Sequence, residues 1–330
     1  MKTLILNRQE IEKLLPMSEC IDIIEEMFKD LALGKGTLPQ RSILPLPNGK
    51  GAIALMPGFL DNAVGAKIMT LFSGNVKTQY ETHQGAVLLF HSENGSLLGI
   101  MDSTSITGMR TAAASAVATK TLAREDSTNL AILGSGFQAA SHLEAMQQVR
   151  KITSVKVWSR NYDHAKEFSR MFGLVEIEPV VSVKEAVEKA DIICTTTRSS
   201  QPVLKGEWIR EGAHINAVGA YAPSSRELDS EAVVRSLLFV DRREAALIEA
   251  GDFLIPKREG VITDMHIRGE LGDVLLGKIQ GRTGDSQITL FKSLGLATED
   301  IAIARGLYQK ALSESIGSWI DIGKKGNPAK

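Results

Sequence analysis

The chain has 330 residues, 43% of them hydrophobic and 23% charged, a composition typical of a globular protein of about two domains. Its 38 Lys and Arg against 39 Asp and Glu give a net charge of −1, which excludes a general attraction to nucleic acid. No apolar run reaches the ~18 residues that span a bilayer, and the N-terminus lacks the apolar core of a signal peptide, so we expect a cytoplasmic protein without a membrane partner. Because only Cys20 and Cys194 are present, we expect neither a disulfide framework nor a metal site.

The first third of the chain mixes helix and strand patterns. Apolar residues at helical spacing predict a helix over residues 11–33. Short apolar runs bounded by Gly, Asn and Pro predict strands at 52–56, 65–71 and 86–90. The Asn-Gly pair within residues 92–95 tolerates positive φ, so a hairpin should join the last of these strands to one at 97–101. An alanine-rich helix is predicted over 111–122.

From residue 129 onward, short buried strands alternate with helices. The strand candidates are 130–133, 155–158, 192–194, 214–218 and 237–241, and the helices between them are 139–148, 164–172 and 183–190. Because parallel neighbours need a long crossover, this alternation predicts a parallel, doubly wound nucleotide-binding sheet. We expect a last amphipathic helix over 298–313 to fold back onto the first domain, and the polar residues 323–330 to be frayed.

The sharpest local motif is the glycine turn Gly134-Ser135-Gly136-Phe137-Gln138-Ala139, which follows the first of these strands and opens a helix. Gly134 permits the tight turn, Gly136 lets the backbone approach a pyrophosphate, and Ala139 is small where the helix packs on the strand. The helix N-terminus offers N–H groups and a partial positive charge to the phosphates. The motif predicts a dinucleotide site at residues 134 and 136–139, and the alternative is an ordinary glycine-rich turn.

The end of the second strand indicates which dinucleotide is bound. It runs into Ser159-Arg160-Asn161, without the Asp or Glu that usually holds the ribose hydroxyls of NAD. Arg160 can pair with a 2′-phosphate, and Ser159 and Asn161 can donate hydrogen bonds to it. These three residues favour NADP(H), with NAD(H) possible. The alternative is that Arg160 is a solvated loop charge.

Six stretches spread along the chain carry a resemblance to a known family. They are Met101–Ala113, Gly134–Ala139, Gly212–Ala220, Arg226–Asp229, Glu244–Leu247 and Phe291–Ala297. In this order they resemble the ornithine cyclodeaminase/mu-crystallin family, and most closely its mu-crystallin branch of ketimine reductases. The resemblance implies an α/β homodimer. A Rossmann-type domain over 128–298 holds the nicotinamide cofactor, and a mixed α+β domain over 1–127 and 299–330 carries dimerisation and much of the substrate pocket.

Three cations of the first domain are the candidate catalytic residues. By the resemblance, Arg41, Lys67 and Arg110 line the substrate pocket, and Arg110 also approaches the cofactor. Lys67 lies inside an apolar strand and Arg110 opens an alanine-rich helix, where a charge is costly unless it is paired. The carboxylate of an amino or imino acid suits them, since Arg binds a carboxylate through two parallel hydrogen bonds. The alternative is that each pairs with a protein carboxylate such as Asp102.

Further cofactor contacts follow from the resemblance or from strand ends. His83 and Ser293 match positions at which the family approaches the nicotinamide. Thr196 and Thr197 follow a strand and can line the crevice at the carboxyl edge of the sheet. Val218 and Gly219 belong to the Asn-Ala-Val-Gly motif of the family. The alternative for His83 is a structural role, that for Thr196 and Thr197 is an ordinary polar loop, and that for Ser293 is a turn.

One departure from the family pattern bears on the reaction. Cyclodeaminases, and the archaeal alanine dehydrogenase of this family, place a catalytic Asp two residues after the Asn-Ala-(Val/Ile)-Gly motif, whereas this chain has Tyr221 there. A carboxylate can bind a substrate ammonium group or move protons. Tyr, with a pKa near ~10, carries no negative charge at pH 7. Redox-neutral deamination of ornithine is therefore in doubt.

The sequence and the resemblance together predict an NAD(P)H-dependent reductase. Its substrates would be small cyclic ketimines that bear a carboxylate, Δ1-pyrroline-2-carboxylate or Δ1-piperideine-2-carboxylate, which it reduces to L-proline or L-pipecolate. The alternatives are an ornithine cyclodeaminase with bound NAD, an alanine or opine dehydrogenase, and a non-catalytic NADPH-binding protein like the mu-crystallins that bind thyroid hormone.

Overall fold

Two eight-stranded sheets organise the chain, which a computed structural model describes for residues 2–172 and 176–322. The internal contacts divide the chain into two units. The first unit takes the chain up to Arg110 and again from Leu296, and the second unit is Thr111–Gly295. The residues predicted to be frayed, 323–330, lie outside the described part.

The strands and helices follow one another along the whole chain. The strands are β1 (Lys2–Leu6), β2 (Gly36–Thr37), β3 (Ser42–Pro45), β4 (Ala52–Leu60), β5 (Ala63–Leu71), β6 (His83–His91), β7 (Leu97–Asp102), β8 (Asn129–Leu133), β9 (Ser154–Trp158), β10 (Ile177–Val180), β11 (Ile192–Thr195), β12 (His214–Ala217), β13 (Ser236–Val240), β14 (Ile267–Glu270), β15 (Ile288–Lys292) and β16 (Ser318–Asp321). The α-helices are α1 (Arg8–Leu14), α2 (Met17–Ala32), α3 (Ser103–Leu122), α4 (Phe137–Val149), α5 (Tyr162–Met171), α6 (Val183–Val187), α7 (Ser230–Val234), α8 (Arg243–Glu249), α9 (Gly251–Arg258), α10 (Leu271–Leu275) and α11 (Ala297–Glu314). Short 3-10 turns lie at Ser73–Lys77, Gly206–Trp208 and Asp264–His266.

The sheet of the first unit is mostly antiparallel, in the order β16-β1-β7-β6-β5-β4-β2, with β3 also paired to β4. Only β1 and β7 run parallel among the pairs described. Helices α2 and α11 pack together, and α11 lies against β4, β5 and β6. The apolar residues of α2 recur every three or four positions and are buried, so one stripe of the helix faces the core. The predicted hairpin is confirmed, since β6 and β7 pair antiparallel around Gly95, whose φ is 70°.

Two helix predictions in the first unit were wrong in their limits. The stretch predicted as one helix over 11–33 forms α1 and α2, which are separated at Leu15 and Pro16. Proline lacks an N–H and disfavours helical backbone in the residue before it, so the chain breaks there and restarts. Helix α3 begins at Ser103 and not at residue 111, because the carboxylate of Asp102 accepts the backbone N–H of Ser105 and caps the helix.

The second unit holds the predicted parallel sheet, in the order β10-β9-β8-β11-β12-β15-β13-β14 with every described pair parallel. The order reverses between β8 and β11, as in doubly wound nucleotide-binding sheets. Together the two sheets confirm the predicted α/β fold class. None of the helices in the described part of the chain combines the length and hydropathy that a bilayer-spanning segment needs.

Candidate active site

The glycine turn lies between β8 and α4. Gly134 has a φ of 125°, which favours glycine, and a Cβ there would meet Oγ1 of Thr196 at 2.6 Å. Gly136 is the N-cap of α4, and the described residues beyond its chain neighbours leave open space for 4 Å around the position of its missing Cβ. Ala139, in the first turn of α4, is fully buried. The turn therefore leaves room at a helix N-terminus, which suits a pyrophosphate.

The strand order brings the glycine turn beside the end of β11. The backbone N–H and Oγ1 of Thr196 both donate to the carbonyl of Leu133, at 2.8 and 3.2 Å. Phe137 and Gln138 form the first turn of α4, where the side chain of Phe137 is exposed and that of Gln138 is half-buried. The residues predicted for the pyrophosphate and Thr196 thus lie together at the reversal of the strand order, where open α/β sheets bind ligands.

The end of β9 is joined to the same turn. Oγ of Ser135 donates to Oγ of Ser159 at 3.0 Å. Arg160 is exposed, and the side-chain oxygen of Asn161 accepts the backbone N–H of Asp163 at 3.0 Å and caps α5. This cap occupies the amide oxygen of Asn161, while its amino group keeps the donors that the sequence analysis assigned to a 2′-phosphate.

A buried carboxylate that the sequence analysis gave no role ties together the loops after β11 and β12. Oε1 of Glu227 accepts the backbone N–H and the hydroxyl of Thr197, at 2.6 and 2.7 Å. Its Oε2 accepts the hydroxyl of Thr195 and the backbone N–H of Gly219, each at 2.7 Å. Val218 lies half-buried beside Gly219, and its N–H donates to the carbonyl of Thr195 at 3.0 Å. Burial and the nearby Asp252 raise the pKa of Glu227, whereas its hydroxyl partners and Lys292 oppose this rise.

A buried ion pair supports this carboxylate. Oδ1 of Asp252 accepts the backbone N–H of Glu227 at 2.8 Å, and its Oδ2 lies 3.0 Å from Nζ of Lys292. Lys292 also donates to the carbonyls of Ala217 and Ala220, at 3.2 and 2.6 Å. Lys292 closes β15, a fully buried strand that the sequence analysis did not name, although Ile288–Lys292 is a mainly apolar run.

Ser293 follows β15 and is buried in the second unit. Its backbone N–H donates to the carbonyl of Ala217 at 3.1 Å. Oδ2 of Asp241 accepts the backbone N–H groups of Leu294 and Gly295, at 2.5 and 2.9 Å, and so fixes the turn behind Ser293. The predicted residues Thr197, Gly219 and Ser293 therefore follow three adjacent strands of the sheet.

Lys67 lies on β5 in the first unit, and only 1% of its side-chain surface is exposed. Its Nζ is 2.9 Å from Oδ2 of Asp300 on α11 and 3.3 Å from the hydroxyl of Thr107. Burial lowers the pKa of Lys67 to about 8, with a further decrease from the charges of Arg110 and Arg41 and a partial increase from Asp300. The ammonium group can thus lose a proton near neutral pH.

Arg110 lies on α3 and is buried beside the same carboxylate. Its Nη1 is 2.8 Å from Oε2 of Glu299, and its Nε is 3.2 Å from Oδ1 of Asp300. Burial alone would lower the pKa of Arg110, but the two carboxylates outweigh it and the pKa is raised above the ordinary value. Arg110 therefore keeps its positive charge at neutral pH.

Arg41 precedes β3 and is half-buried. Its positive charge lowers the pKa of Lys67, so the three predicted cations belong to one electrostatic cluster in the first unit. Of the alternatives left open by the sequence, a protein carboxylate does pair with Lys67 and with Arg110. The partner is not Asp102, which caps α3. The carboxylates of Glu299 and Asp300 thus balance the formal charges of Lys67 and Arg110 when Lys67 is protonated.

The sequence gave little sign of these acidic partners. Glu299 and Asp300 stand in the first turn of α11, where acidic residues commonly favour the helix dipole. Only the packing of α11 onto the sheet reveals that both are fully buried. No group of three or more His, Cys, Asp and Glu in the described part of the chain has the arrangement of a metal site.

His83 and Tyr221 are the two remaining positions that the sequence singled out. His83 begins β6 and is half-buried, and its Nδ1 shares a hydrogen bond of 3.0 Å with the hydroxyl of Thr82. Tyr221, which stands where the cyclodeaminases have an Asp, is 44% exposed in the second unit. A phenol at this position offers a neutral hydrogen-bonding group where a carboxylate would offer a charge.

Comparison with known proteins identifies the family. Residues 1–315 match the model of the ornithine cyclodeaminase/mu-crystallin family. The chain belongs to this family. The ketimine reductase mu-crystallin of Mus musculus is 42% identical over 82% of this chain and 84% of its own length.

Two solved structures of similar fold cover nearly the whole chain. The Δ1-pyrroline-2-carboxylate reductase of Thermococcus litoralis, in complex with NADH and L-proline, is 42% identical, with a TM-score of 0.93 over 96% of this chain and 99% of that one. An archaeal alanine dehydrogenase dimer with bound NAD is 36% identical, with a TM-score of 0.93 over 98% of this chain and 100% of that one. The predicted membership of the family is thus confirmed.

Proposed function

We propose that the chain is an NAD(P)H-dependent reductase of small cyclic ketimines that bear a carboxylate, with Δ1-pyrroline-2-carboxylate or Δ1-piperideine-2-carboxylate as substrate. The observation that carries this proposal is the buried pair of cations Lys67 and Arg110, in which the pKa of Lys67 is lowered to about 8 while that of Arg110 is raised. A titratable ammonium group beside a permanent guanidinium group suits a reaction that binds a carboxylate and moves a proton. The similar reductase of Thermococcus litoralis, whose structure contains NADH and L-proline, supports the assignment.

The two arginines are proposed to hold the substrate carboxylate. A guanidinium group carries five N–H donors, so the contacts of Arg110 with Glu299 and Asp300 do not exhaust it. Arg41 is half-buried and contributes to the same electrostatic cluster. Arg41 and Arg110 would together fix the orientation of the bound substrate, and with it the orientation of its imine group.

Lys67 is proposed to supply the proton. Reduction of a C=N bond adds a hydride to carbon and a proton to nitrogen, and an ammonium group with a pKa of about 8 can give up a proton near neutral pH. The two arginines keep their own charges when Lys67 becomes neutral, so they can continue to donate hydrogen bonds to the carboxylate. The hydroxyl of Thr107, 3.3 Å from Nζ, helps to orient Lys67.

The nicotinamide cofactor is proposed to bind in the second unit, and when bound it supplies the hydride. The open N-terminus of α4 after Gly134 and Gly136 suits its pyrophosphate. The proposed contacts of the second unit with the rest of the cofactor are Phe137, Gln138, Ala139, Ser159, Arg160, Asn161, Thr196, Thr197, Val218, Gly219 and Ser293. NADH and NAD are present in the two similar structures. The preference for NADPH in this chain rests on the exposed Arg160 and on the lack of an acid at the end of β9.

We assign the substrate role and dimerisation to the first unit, as expected for residues 1–127 and 299–330, and cofactor binding to the second, as expected for 128–298. One face of the first sheet is apolar and partly exposed, which favours a homodimer. Leu55 and Phe59 on β4 are exposed, and their cross-strand partners on β5 are Ile68 and Val64. A patch of this kind usually marks a contact between proteins. The alanine dehydrogenase of similar fold is a dimer.

We also propose a cytoplasmic protein. Cys20 and Cys194 are both buried thiols outside any disulfide, and burial raises the pKa of the Cys194 thiol to about 12. A thiol of this kind is inert, so the chain needs no oxidising compartment for its stability.

Alanine dehydrogenation is the second candidate, and the similarity to the archaeal alanine dehydrogenase favours it. Tyr221 replaces the acidic residue that both the cyclodeaminases and the archaeal alanine dehydrogenase have, so this position argues against alanine dehydrogenation and against cyclodeamination of ornithine alike. Cofactor absorbance, followed with cyclic imines, with pyruvate plus ammonia and with ornithine in separate assays, tests all three. We expect oxidation of NADPH or NADH with the cyclic imines. Proline formed from ornithine without net cofactor change would overturn the proposal, as would binding of NADPH without turnover of any substrate.

A further inference from the structure

Glu227 stands between the loops that follow β11 and β12, at the carboxyl edge of the parallel sheet. Its two oxygens accept four hydrogen bonds, two from Thr197 in the first loop, one from Gly219 in the second, and one from Thr195 at the end of β11. The loops leave no space between them, since a Cβ on Gly219 would lie 2.0 Å from the carbonyl oxygen of Thr197 and 2.6 Å from Oε1 of Glu227. One carboxylate thus sets the distance between the two loops.

Asp252 and Lys292 fix the position of Glu227. Oδ1 of Asp252 accepts the backbone N–H of Glu227 at 2.8 Å and that of Leu228 at 3.0 Å. Lys292 pairs with Asp252 and donates to the carbonyl of Ala217 at the end of β12. Glu227, Asp252 and Lys292 are all nearly inaccessible to solvent, so the network is rigid and its hydrogen bonds are strong.

These loops lie on one side of the point where the strand order reverses. The glycine turn after β8 and the end of β9 lie on the other side, where a doubly wound sheet binds the pyrophosphate and the adenosine ribose. A dinucleotide crosses the sheet at this point, so its second nucleotide faces the ends of β11 and β12. The loops held by Glu227 therefore face the nicotinamide half of the cofactor.

We propose that Glu227 is a positioning residue that shapes the site for the nicotinamide ring by holding the loops after β11 and β12 at a fixed spacing. The inference rests on the proposed function, since it requires a nicotinamide cofactor at this edge. The proposal predicts that a change at Glu227 affects the binding of two ligands differently. Changes at Glu227 weaken binding of the whole dinucleotide but not of ADP-ribose, which lacks the nicotinamide ring.

The substitution Glu227→Gln tests the proposal in the full-length protein. A glutamine has one acceptor oxygen, and its amino group must face either the N–H of Thr197 or the N–H of Gly219, so one loop loses its anchor in both orientations. We expect the Kd for NADH to rise by about 10-fold, while the Kd for ADP-ribose changes by less than about 2-fold. Both constants are measured by calorimetry with each ligand alone.

Two further variants separate positioning from a general loss of stability. Asp191→Asn changes a buried carboxylate that also accepts two backbone N–H groups, those of Thr128 and Asn129, but at the amino edge of the sheet. It should lower the melting temperature and leave the ratio of the NADH and ADP-ribose constants unchanged. Gly219→Ala pushes the two loops apart directly and should raise the ratio as Glu227→Gln does.

The outcomes distinguish this inference from the proposed function. A wild-type chain that binds neither NADH nor ADP-ribose contradicts the proposed function itself. If wild-type protein binds both ligands, but Glu227→Gln and Gly219→Ala leave the ratio at the wild-type value, the positioning role is wrong and the proposed function stands. An equal rise of the ratio in Asp191→Asn would also overturn the positioning role, because the effect would then be general.

Discussion

A lysine buried within a sheet keeps its charge only where nearby groups compensate for the lost water. Lys67 is partly compensated by Asp300, while Arg110 and Arg41 act in the opposite direction. The balance puts the pKa of Lys67 at about 8, whereas that of Arg110 is raised. Arg110 is therefore a permanent cation that suits a substrate carboxylate, whereas Lys67 is a titratable cation that suits proton transfer.

A pH dependence of the rate follows from this division. The pKa of Lys67 is lowered to about 8, so the ammonium form is lost as the pH rises through this value. We expect kcat/KM for imine reduction to fall above about pH 8 and the reverse oxidation of the amino acid to rise over the same range. Initial rates in both directions across this range measure the two profiles.

The matched variant is Lys67→Arg, which keeps a positive charge but releases no proton in this range. Its residual reduction rate should be lower by about 100-fold or more and should lack the break near pH 8. A break that persists unchanged in Lys67→Arg would assign the titration to another group and contradict the proposed proton donor.

The exposed Arg160 gives the second prediction at this scale. If it pairs with the 2′-phosphate of NADPH, then Arg160→Ala should weaken NADPH by about 10-fold or more and NADH by less than about 2-fold. Arg170→Ala on α5 removes the same charge from another exposed position and should change neither constant. Titrations of both cofactors against the three proteins provide the measurement. Equal losses for NADPH and NADH in Arg160→Ala would remove the basis for the NADPH preference.

At the scale of elements, α11 supplies what the cation cluster needs. The helix returns from the far end of the chain, packs on β4, β5 and β6, and buries Glu299 and Asp300 in its first turn. The sequence predicted this helix over 298–313 and its return to the first domain, but not that its acids would meet Lys67 and Arg110. Amphipathic periodicity tells which stripe of a helix is buried, and it does not tell which polar groups meet across the interface.

Removing one of these carboxylates should affect folding and chemistry together. In Asp300→Asn two buried cations lose a partner, which should destabilise the fold by roughly 3–5 kcal/mol. Loss of the negative charge also lowers the pKa of Lys67 further, so the break in the pH profile should move below pH 8. Urea denaturation and rate profiles measure the two effects.

Glu299→Gln serves as the control, because Glu299 pairs with Arg110, whereas Asp300 pairs with both Lys67 and Arg110. It should lower the stability and move the pH break much less than Asp300→Asn does. An equal displacement of the break in the two variants would show that the break does not report on the Lys67–Asp300 pair.

The dinucleotide-binding elements were the part of the fold most accessible from sequence. A strand, Gly134-Ser135-Gly136 and a helix appear in that order, and the structure has β8, the turn and α4 there. The errors have local reasons. Pro16 divides a helix that apolar spacing alone joined, and β15 was missed because a short buried run such as Ile288–Lys292 resembles many other apolar segments.

For the whole molecule, the exposed apolar face of the first sheet predicts association. Leu55→Asp would place a charge in the centre of this face, beside Ile68. We expect the dimer to dissociate at concentrations at least about 100-fold higher than for the wild-type chain, because a buried unpaired carboxylate is costly. Sedimentation velocity across a concentration series measures the change.

Leu312→Asp on α11 is the matched control, since Leu312 is exposed to a similar extent but lies outside this face of the sheet. It should leave the association unchanged. A wild-type chain that sediments as a monomer at all concentrations, or a Leu312→Asp variant that dissociates like Leu55→Asp, would contradict the proposed contact.

The sequence by itself determined the α/β class and the parallel sheet with its glycine turn, whereas the family resemblance singled out the three cations of the first unit. The α/β class and the glycine turn depend on residues close together in the chain, where periodicity, glycine and strand ends carry the information. Only the tertiary structure decided that Glu299 and Asp300 neutralise Lys67 and Arg110, and that Glu227 joins two loops. These contacts connect distant positions, and the cost of burying a charge depends on partners that folding alone brings together.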